Sequence, residues 1–254
     1  MMRILLTNDD GINAEGLYDL YLCLAKSYEV SVCAPDTEKS AIGHAITLNR
    51  PLRIKKVYRN KKFYGYSVDG TPADCVKIAV RSILKQKPQL IISGINHGPN
   101  LGSDIMYSGT VSAATEGAIL GIPSIAVSLA TYENHDFDFA ADFVLSLIKK
   151  IKYNNIPQGT LLNVNIPSVK KNSIRGVMIT KQGKSLYKED FIRRDDPRGN
   201  SYYWLSGKVK WLAKPAGSDI KAIEDNYVSI TPLQFDLTDY KSIDALKKMD
   251  FKLP

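Results

Sequence analysis

Short apolar runs alternate with longer stretches whose apolar residues recur every three or four positions. Arg3 to Leu6 is of strand length and stops abruptly at Asn8-Asp9-Asp10-Gly11. Asn13 to Tyr28 then places Leu17, Leu20, Tyr21 and Leu24 on one helical face. Glu29 to Ala34 is again strand-like and closes on Pro35-Asp36. Strand, helix, strand predicts a βαβ unit with parallel strands and a right-handed crossover. Leu52 to Tyr58 and Phe63 to Val68 flank Arg59-Asn60-Lys61-Lys62 and predict an inserted antiparallel hairpin. Thr71-Pro72 opens a helix with the face Val76, Ala79, Val80, Ile83 and Leu84, closed by Pro88. Gln89 to Ser93 and Pro123 to Leu129 predict buried strands. Val111 to Leu120 predicts a small-residue helix that can lie close to a sheet. Phe139, Phe143, Leu147, Ile148 and Ile151 mark a helix from Phe137 to Lys152, and Leu161 to Ile166 predicts the last strand of the core sheet.

Beyond Pro167 this rhythm stops. Val177 to Thr180, Tyr202 to Leu205 and Val228 to Thr231 predict separate strands, with short helices at Ile220 to Asp225 and Tyr240 to Met249. The fold class expected is α/β: a mostly parallel core over 1–167, with the hairpin at about 52–68, and a loop- and strand-rich extension over 168–254. The extension has too few apolar residues for a core of its own, so it is expected to pack on something else, a second subunit included. The first strand-to-helix turn lacks G-x-G-x-x-G, so a dinucleotide site of that fingerprint is not supported.

Composition narrows the class. The chain has 254 residues, 44% hydrophobic and 24% charged, as expected of a soluble globular protein. No run approaches the roughly 18 apolar residues of a membrane span, and the N-terminus lacks a signal-peptide layout. Cys23, Cys33 and Cys75 each lie in an apolar context and read as buried thiols of a reducing, cytoplasmic protein. The net charge is +8, and Lys170 to Lys214 holds twelve Lys/Arg against four Asp/Glu, so the excess is concentrated there. Such a segment can be a solvated surface, bind nucleic acid or attract a small anion.

Chemistry enters at the strand ends. Adjacent carboxylates such as Asp9 and Asp10, at the end of a buried strand, repel each other and lose solvation. They persist where something positive sits beside them or where they merely cap a turn. A second polar station runs from Asp36 to Thr47 and contains Ser40 and His44. A third begins at Asn96 and continues through Gly98, Asn100 and Gly102 to Ser108-Gly109-Thr110, at the start of a helix. In a parallel sheet these strand ends share one edge, so the stations can converge. Asp9, Asp10, Ser40 and Asn96 then offer oxygen ligands only, which selects Mg²⁺ or Mn²⁺ over Zn²⁺. The helix start at Ser108 to Thr110 can hold an anion, or Ser108 or Thr110 can be a plain N-cap. Metal plus anion cradle, with no Walker or kinase signature, points to phosphoryl hydrolysis by metal-activated water.

The chain resembles the SurE family, the stationary-phase survival protein nucleotidases, nearly end to end. The resemblance is carried by Asn8-Asp9-Asp10-Gly11, Ala34-Pro35-Asp36 with Ser40 and Gly43-His44, Asp69-Gly70-Thr71-Pro72-Ala73-Asp74, Ser93 to Gly102, Tyr107 to Ala114, and Tyr227 to Leu233. It is weakest between Pro167 and Pro215. It implies a Rossmann-like three-layer core and a phosphatase with one divalent cation per subunit. The implied substrates are nucleoside 5′- and 3′-monophosphates and, in some members, short polyphosphate. It also implies a homodimer or homotetramer whose C-terminal extension is exchanged between subunits. The family's metal ligands fall on Asp9, Asp10, Ser40 and Asn96. Its phosphate-side residues fall on Asn8, Gly43, His44, Ser108, Gly109 and Thr110, with Asn96 adjoining them. Asp9, Asn8 and His44 are the catalytic candidates; His44 either protonates the leaving alkoxide or only donates a hydrogen bond.

His97 can be a structural hydrogen-bonder behind Asn96, His135 a loop residue, and Tyr107 either a nucleoside contact or core. A Rossmann-like zinc deacetylase also has adjacent aspartates after its first strand. It needs a histidine just before them, where this chain has Thr7 and Asn8. A basic nucleic-acid-binding protein would leave Asp9, Asp10 and the Ser108 loop without a purpose, so neither nucleic acid nor membrane is an expected partner.

Overall fold

The computed structural model describes residues 1–133, 136–151, 156–213, 215–249 and 251, without the side chains of 185–189 and 207–213. His135, Lys152 and Lys214 lie outside the described residues. The core elements are β1 (Arg3–Thr7), α1 (Glu15–Leu24), β2 (Glu29–Pro35), the hairpin β3 (Ile54–Arg59) and β4 (Lys62–Val68), and α2 (Pro72–Ile78). They continue with β5 (Leu90–His97), α3 (Gly109–Ile119), β6 (Ser124–Ala130), α4 (Asp138–Ile151) and β7 (Thr160–Pro167). Then follow β8 (Gly176–Ile179), β9 (Lys184–Asp195), β10 (Ser201–Ala213), α5 (Asp219–Glu224), β11 (Tyr227–Gln234) and α6 (Tyr240–Lys247).

Among the described residues β1 lies in the interior of a nine-stranded sheet ordered β3-β4-β2-β1-β5-β6-β7-β11-β8. From β4 to β7 every neighbouring pair is parallel. Alternation along β1 builds both halves of the core. Ile4 and Leu6 face one side, with Leu17 and Leu20 of α1 and Val144 and Leu147 of α4. Leu5 faces the other, with Cys75 and Val76 of α2 and Ala113 of α3. The result is three layers with helices on both sides. Thr71 caps α2: its side chain accepts from Asp74 N at 3.1 Å while Asp74 accepts from Thr71 N at 2.9 Å, with Pro72 opening the first turn. Cys33 and Cys75 are buried free thiols and Cys23 is half-buried. Among the described residues no helix is long and apolar enough to cross a membrane.

Three sequence expectations need correction. β5 does not stop at Ser93; it continues through Gly94 and the fully buried Ile95 to His97. Gly94 has no side chain to mark the alternation, and the pairing with β6 shifts register between Ser93 and Asn96, so the pattern hides the last turn of strand. Nor does the sheet end at Leu161 to Ile166. β11 pairs antiparallel with β7, and β8 parallel with β11. In β11 the face opposite Val228 and Ile230 is also buried, but it is polar: the hydroxyls of Ser229 and Thr231 each lie 2.7 Å from that of Thr180. A two-sided strand therefore reads as a one-sided one. Finally, Tyr202 to Leu205 is only part of β10, which pairs along its length with β9 in a separate two-stranded arm. β9 was hidden by its charge, with Arg193, Arg194 and Asp195 in sequence.

The outer strands differ. β3 exposes Lys55 and Lys56, whereas β8 is four residues long and exposes Val177 and Ile179. The arm exposes Phe191, Tyr203, Trp204 and Leu205.

α1 sits close to β5 because Gly16 has no side chain: a Cβ there would lie 2.3 Å from the Ile95 carbonyl oxygen. Gly16→Ala should therefore destabilise the fold by about 1–3 kcal/mol despite alanine's better helix propensity. Thermal unfolding of the two proteins measures this; an unchanged or raised Tm would contradict the close contact.

Candidate active site

The site is built where β1 ends. Asn8 closes the turn on itself, its Nδ2 donating to the Gly11 carbonyl at 3.0 Å and its Oδ1 accepting from Gly11 N at 3.2 Å. Gly11 has φ +99°, a conformation that favours glycine. Both ends of the Asn8 amide are thus engaged in shaping the turn that presents Asp9 and Asp10. The second station is drawn over them by Lys39 N, which donates to the Asp9 carbonyl at 2.7 Å. The two later stations are tied together by Gly43 N, which donates to the Tyr107 carbonyl at 2.9 Å.

Asp9, Ser40, Asn96, Tyr107, Ser108 and Tyr132 line one cavity of about 200 Å³. Asp10 lines an adjoining hollow with Glu15 and Phe137, and His97 borders both. Asn96 donates its amide nitrogen to the Gly98 carbonyl at 2.8 Å, leaving Oδ1 as the end that can ligate. Ser40 donates its hydroxyl to Glu38 at 2.6 Å. Ser108 caps α3, its Oγ accepting from Val111 N at 3.1 Å; among the described residues its own hydroxyl donates to none, and it lines the cavity.

The tip of α3 grips Asp9 directly. The Thr110 hydroxyl donates to Asp9 Oδ1, and the Thr110 backbone N–H bonds the same carboxylate. Gly109 makes room for it: a Cβ there would lie 2.7 Å from Asp9 Cβ and 2.8 Å from Oδ2. Thr110, expected on the phosphate side, is therefore occupied with the carboxylate. Burial pushes the Asp9 carboxyl above the usual carboxylate range, against the pull of the Thr110 bonds. Burial, then the neighbouring Asp9 charge, pushes Asp10 up to about 7; His97 N donates to it at 3.4 Å. Among the described residues neither aspartate has a Lys or Arg partner. A buried and a half-buried carboxylate beside neutral oxygen donors fit a hard divalent cation, which would hold both in their charged form. Among the described residues no group of three or more His, Cys, Asp or Glu could hold a metal, which leaves the zinc reading without ligands.

His44 is not brought to this cavity. It lines a different one beside Met106, and its Nε2 is 2.9 Å from Glu116 Oε2. The nearly buried Glu116 also takes Lys77 Nζ at 2.6 Å. Glu116 and Lys77 were not singled out from sequence, because a lone acid on a small-residue helix carries no local signal. Asn163 and Asn165 could have been found. Two asparagines two apart in an apolar strand share one face, and both donate to the Asn100 carbonyl, at 2.9 and 3.0 Å.

Desolvation raises the Glu116 carboxyl, but its hydrogen bonds from His44 and Lys77 outweigh this and hold it below its ordinary value. A depressed carboxyl stabilises the fold above its unfolded-state pKa and loses that contribution as pH falls through its folded value. Glu116→Gln should cost about 1–2 kcal/mol at neutral pH, and the difference from the parent should shrink below about pH 4. Urea unfolding at both pH values measures this; a difference that grows on acidification would contradict it.

Residues 4–189 match the family model described as Survival protein SurE. The chain is 51% identical over 253 residues to the 5′-nucleotidase SurE of Alkaliphilus metalliredigens, covering 99% of this chain and 100% of that one. It is 49% identical over 252 residues to the 5′-nucleotidase SurE of Thermoanaerobacter pseudethanolicus, covering 99% and 100%. The crystal structure of the SurE protein from Aquifex aeolicus superposes with a TM-score of 0.84 at 44% identity, covering 96% of this chain and 98% of that one. A family-model match from β1 into the first half of β9, together with relatives about half identical over nearly the whole chain, establishes that this chain belongs to the SurE family.

Proposed function

We propose that this chain is a metal-dependent 5′-nucleotidase, a phosphatase that hydrolyses nucleoside monophosphates to nucleoside and phosphate. Relatives named 5′-nucleotidase SurE at about half identity over nearly the whole chain support the activity. The observation that carries the chemistry is the convergence of Asp9, Ser40, Asn96 and Ser108 on one cavity, with Asp10 in the adjoining hollow that shares His97 with it. Asp9, Asp10, Ser40 and Asn96 would hold one Mg²⁺ or Mn²⁺. Bound there, the cation would supply electrophilic stabilisation of the phosphoryl group and a more acidic water. Ser108 donates its hydroxyl to a phosphoryl oxygen, and Thr110 keeps Asp9 in place. Tyr107 and Tyr132, both well exposed at the cavity, offer rings on which a base can lie. Asn8 shapes the turn, and Gly43 joins the two loops. His44 supports the α3 side through Glu116, and either protonates the leaving alkoxide or only donates a hydrogen bond.

The finer reading covers both 5′- and 3′-monophosphates, and short polyphosphate as a further substrate. It places the protein in the cytoplasm and divides the chain into a core over 1–167 and an extension over 168–254. The exposed aromatic residues of the β9–β10 arm support a homodimer or homotetramer in which the extension is exchanged between subunits. A nucleic-acid role has no comparable support.

Phosphate release across a panel of 5′- and 3′-mononucleotides tests the activity. Chelation should abolish it and Mg²⁺ or Mn²⁺ restore it. Asp9→Ala should lower kcat by at least about a thousandfold while the fold survives. Full activity in that variant, or indifference to chelator, would remove the cation from the mechanism.

A further inference from the structure

Loop 98–108 runs from the metal-side Asn96 to the phosphate-side Ser108. Leu101 and Ile105 are its buried apolar side chains. Apart from the exposed Met106 and Tyr107, the rest is glycine, proline and polar residues, and buried backbone groups here need partners. One anchor comes from the core: Asn100 N donates to Asn165 Oδ1 at 2.8 Å, and Asn100 Nδ2 to Ser128 Oγ at 2.8 Å. The other comes from the extension. Asp219, fully buried, accepts from Gly102 N at 2.9 Å through Oδ2. Its Oδ1 accepts from Gly183 N and from Ile220 N, each at 2.8 Å. Gln182 Nε2 donates to the Gly102 carbonyl at 2.8 Å. Both backbone polar groups of Gly102 are therefore held from the far end of the chain, 117 and 80 positions away.

Capping α5 does not explain Asp219, because Ser218 already accepts from Lys221 N. Nor does neutral chemistry suffice. Three N–H groups converge on the carboxylate, and an amide would turn a donor toward one of them. Gly183 has no side chain where Asp219 reaches across: a Cβ there would lie 2.8 Å from Asp219 Oδ1.

We infer that Asp219, assisted by Gln182, is a positioning residue of the reaction: through Gly102 it sets the loop that carries Ser108 to the substrate phosphate. The inference rests on the nucleotidase reading for its catalytic half. A displacement of Ser108 by about 1 Å would be felt mainly in the transition state.

The test uses the full chain with saturating Mn²⁺, comparing the parent with Asp219→Asn and Gln182→Ala. Nucleotide hydrolysis is measured together with hydrogen exchange. The expected result is a fall in kcat of about tenfold or more for Asp219→Asn, with a smaller change in KM. Exchange should rise within 98–108 and stay unchanged in β1 and β6. Turnover within about twofold of the parent in a folded Asp219→Asn protein overturns the inference. So does faster exchange spread evenly over the sheet. Should Asp219→Asn fail to fold, Gln182→Ala decides: slower turnover with exchange confined to the loop upholds the inference, and unchanged turnover and exchange overturn it. A parent that releases no phosphate from any nucleotide refutes the nucleotidase reading, and the exchange comparison then decides alone whether the extension holds the loop.

Discussion

The structure depends on one buried carboxylate held in place by the tip of a helix. Asp9 loses most of its hydration at the end of β1, and Thr110 returns part of it through a hydroxyl and a backbone N–H. That contact fixes where α3 begins, and hence where Ser108 stands. It also accounts for Gly109, the residue at which a side chain would strike Asp9. A charge in such a place is costly unless a cation shares it. A cation among these oxygen donors, as proposed above, would answer the folding problem and the chemistry together.

The other polar contacts lock neighbouring segments to this pair. Asn8 shapes the turn, Lys39 brings the second loop to the Asp9 carbonyl, and Gly43 joins that loop to Tyr107. Glu116 holds α3 to Lys77 of α2 and to His44. The third loop is fastened from both sides, by asparagines of β7 and by Asp219. What looks like a catalytic core with an appendage is, at the level of hydrogen bonds, one connected frame.

Most of the fold was legible because its signals are local. Ile4 to Leu6, the Leu17–Leu24 face and the Thr71-Pro72 start each declare an element within a few residues. The strand-end position of Asp9, Asp10, Ser40 and Asn96 was legible for the same reason: a parallel sheet converts sequence order into a shared edge. What escaped was information held between segments. β11 has a buried polar face, because Ser229 and Thr231 find Thr180 rather than water, and no alternation rule reports that. Charge hid β9, and glycine hid the end of β5. The pairing of His44 with Glu116 depends on a helix 72 positions away. The same is true of Thr110, whose hydroxyl donates to Asp9 of a strand far away in sequence.

The two rims of the sheet have a consequence for how the protein keeps to itself. Lys55 and Lys56 on β3 would set like charges against any strand that tried to add there. β8 has no such guard; it is short, and Val177 and Ile179 are bare. Unwanted growth of the sheet, and any stickiness of the free chain at high concentration, should therefore begin on the β8 side, and a single lysine at Ile179 would be the economical way to suppress it.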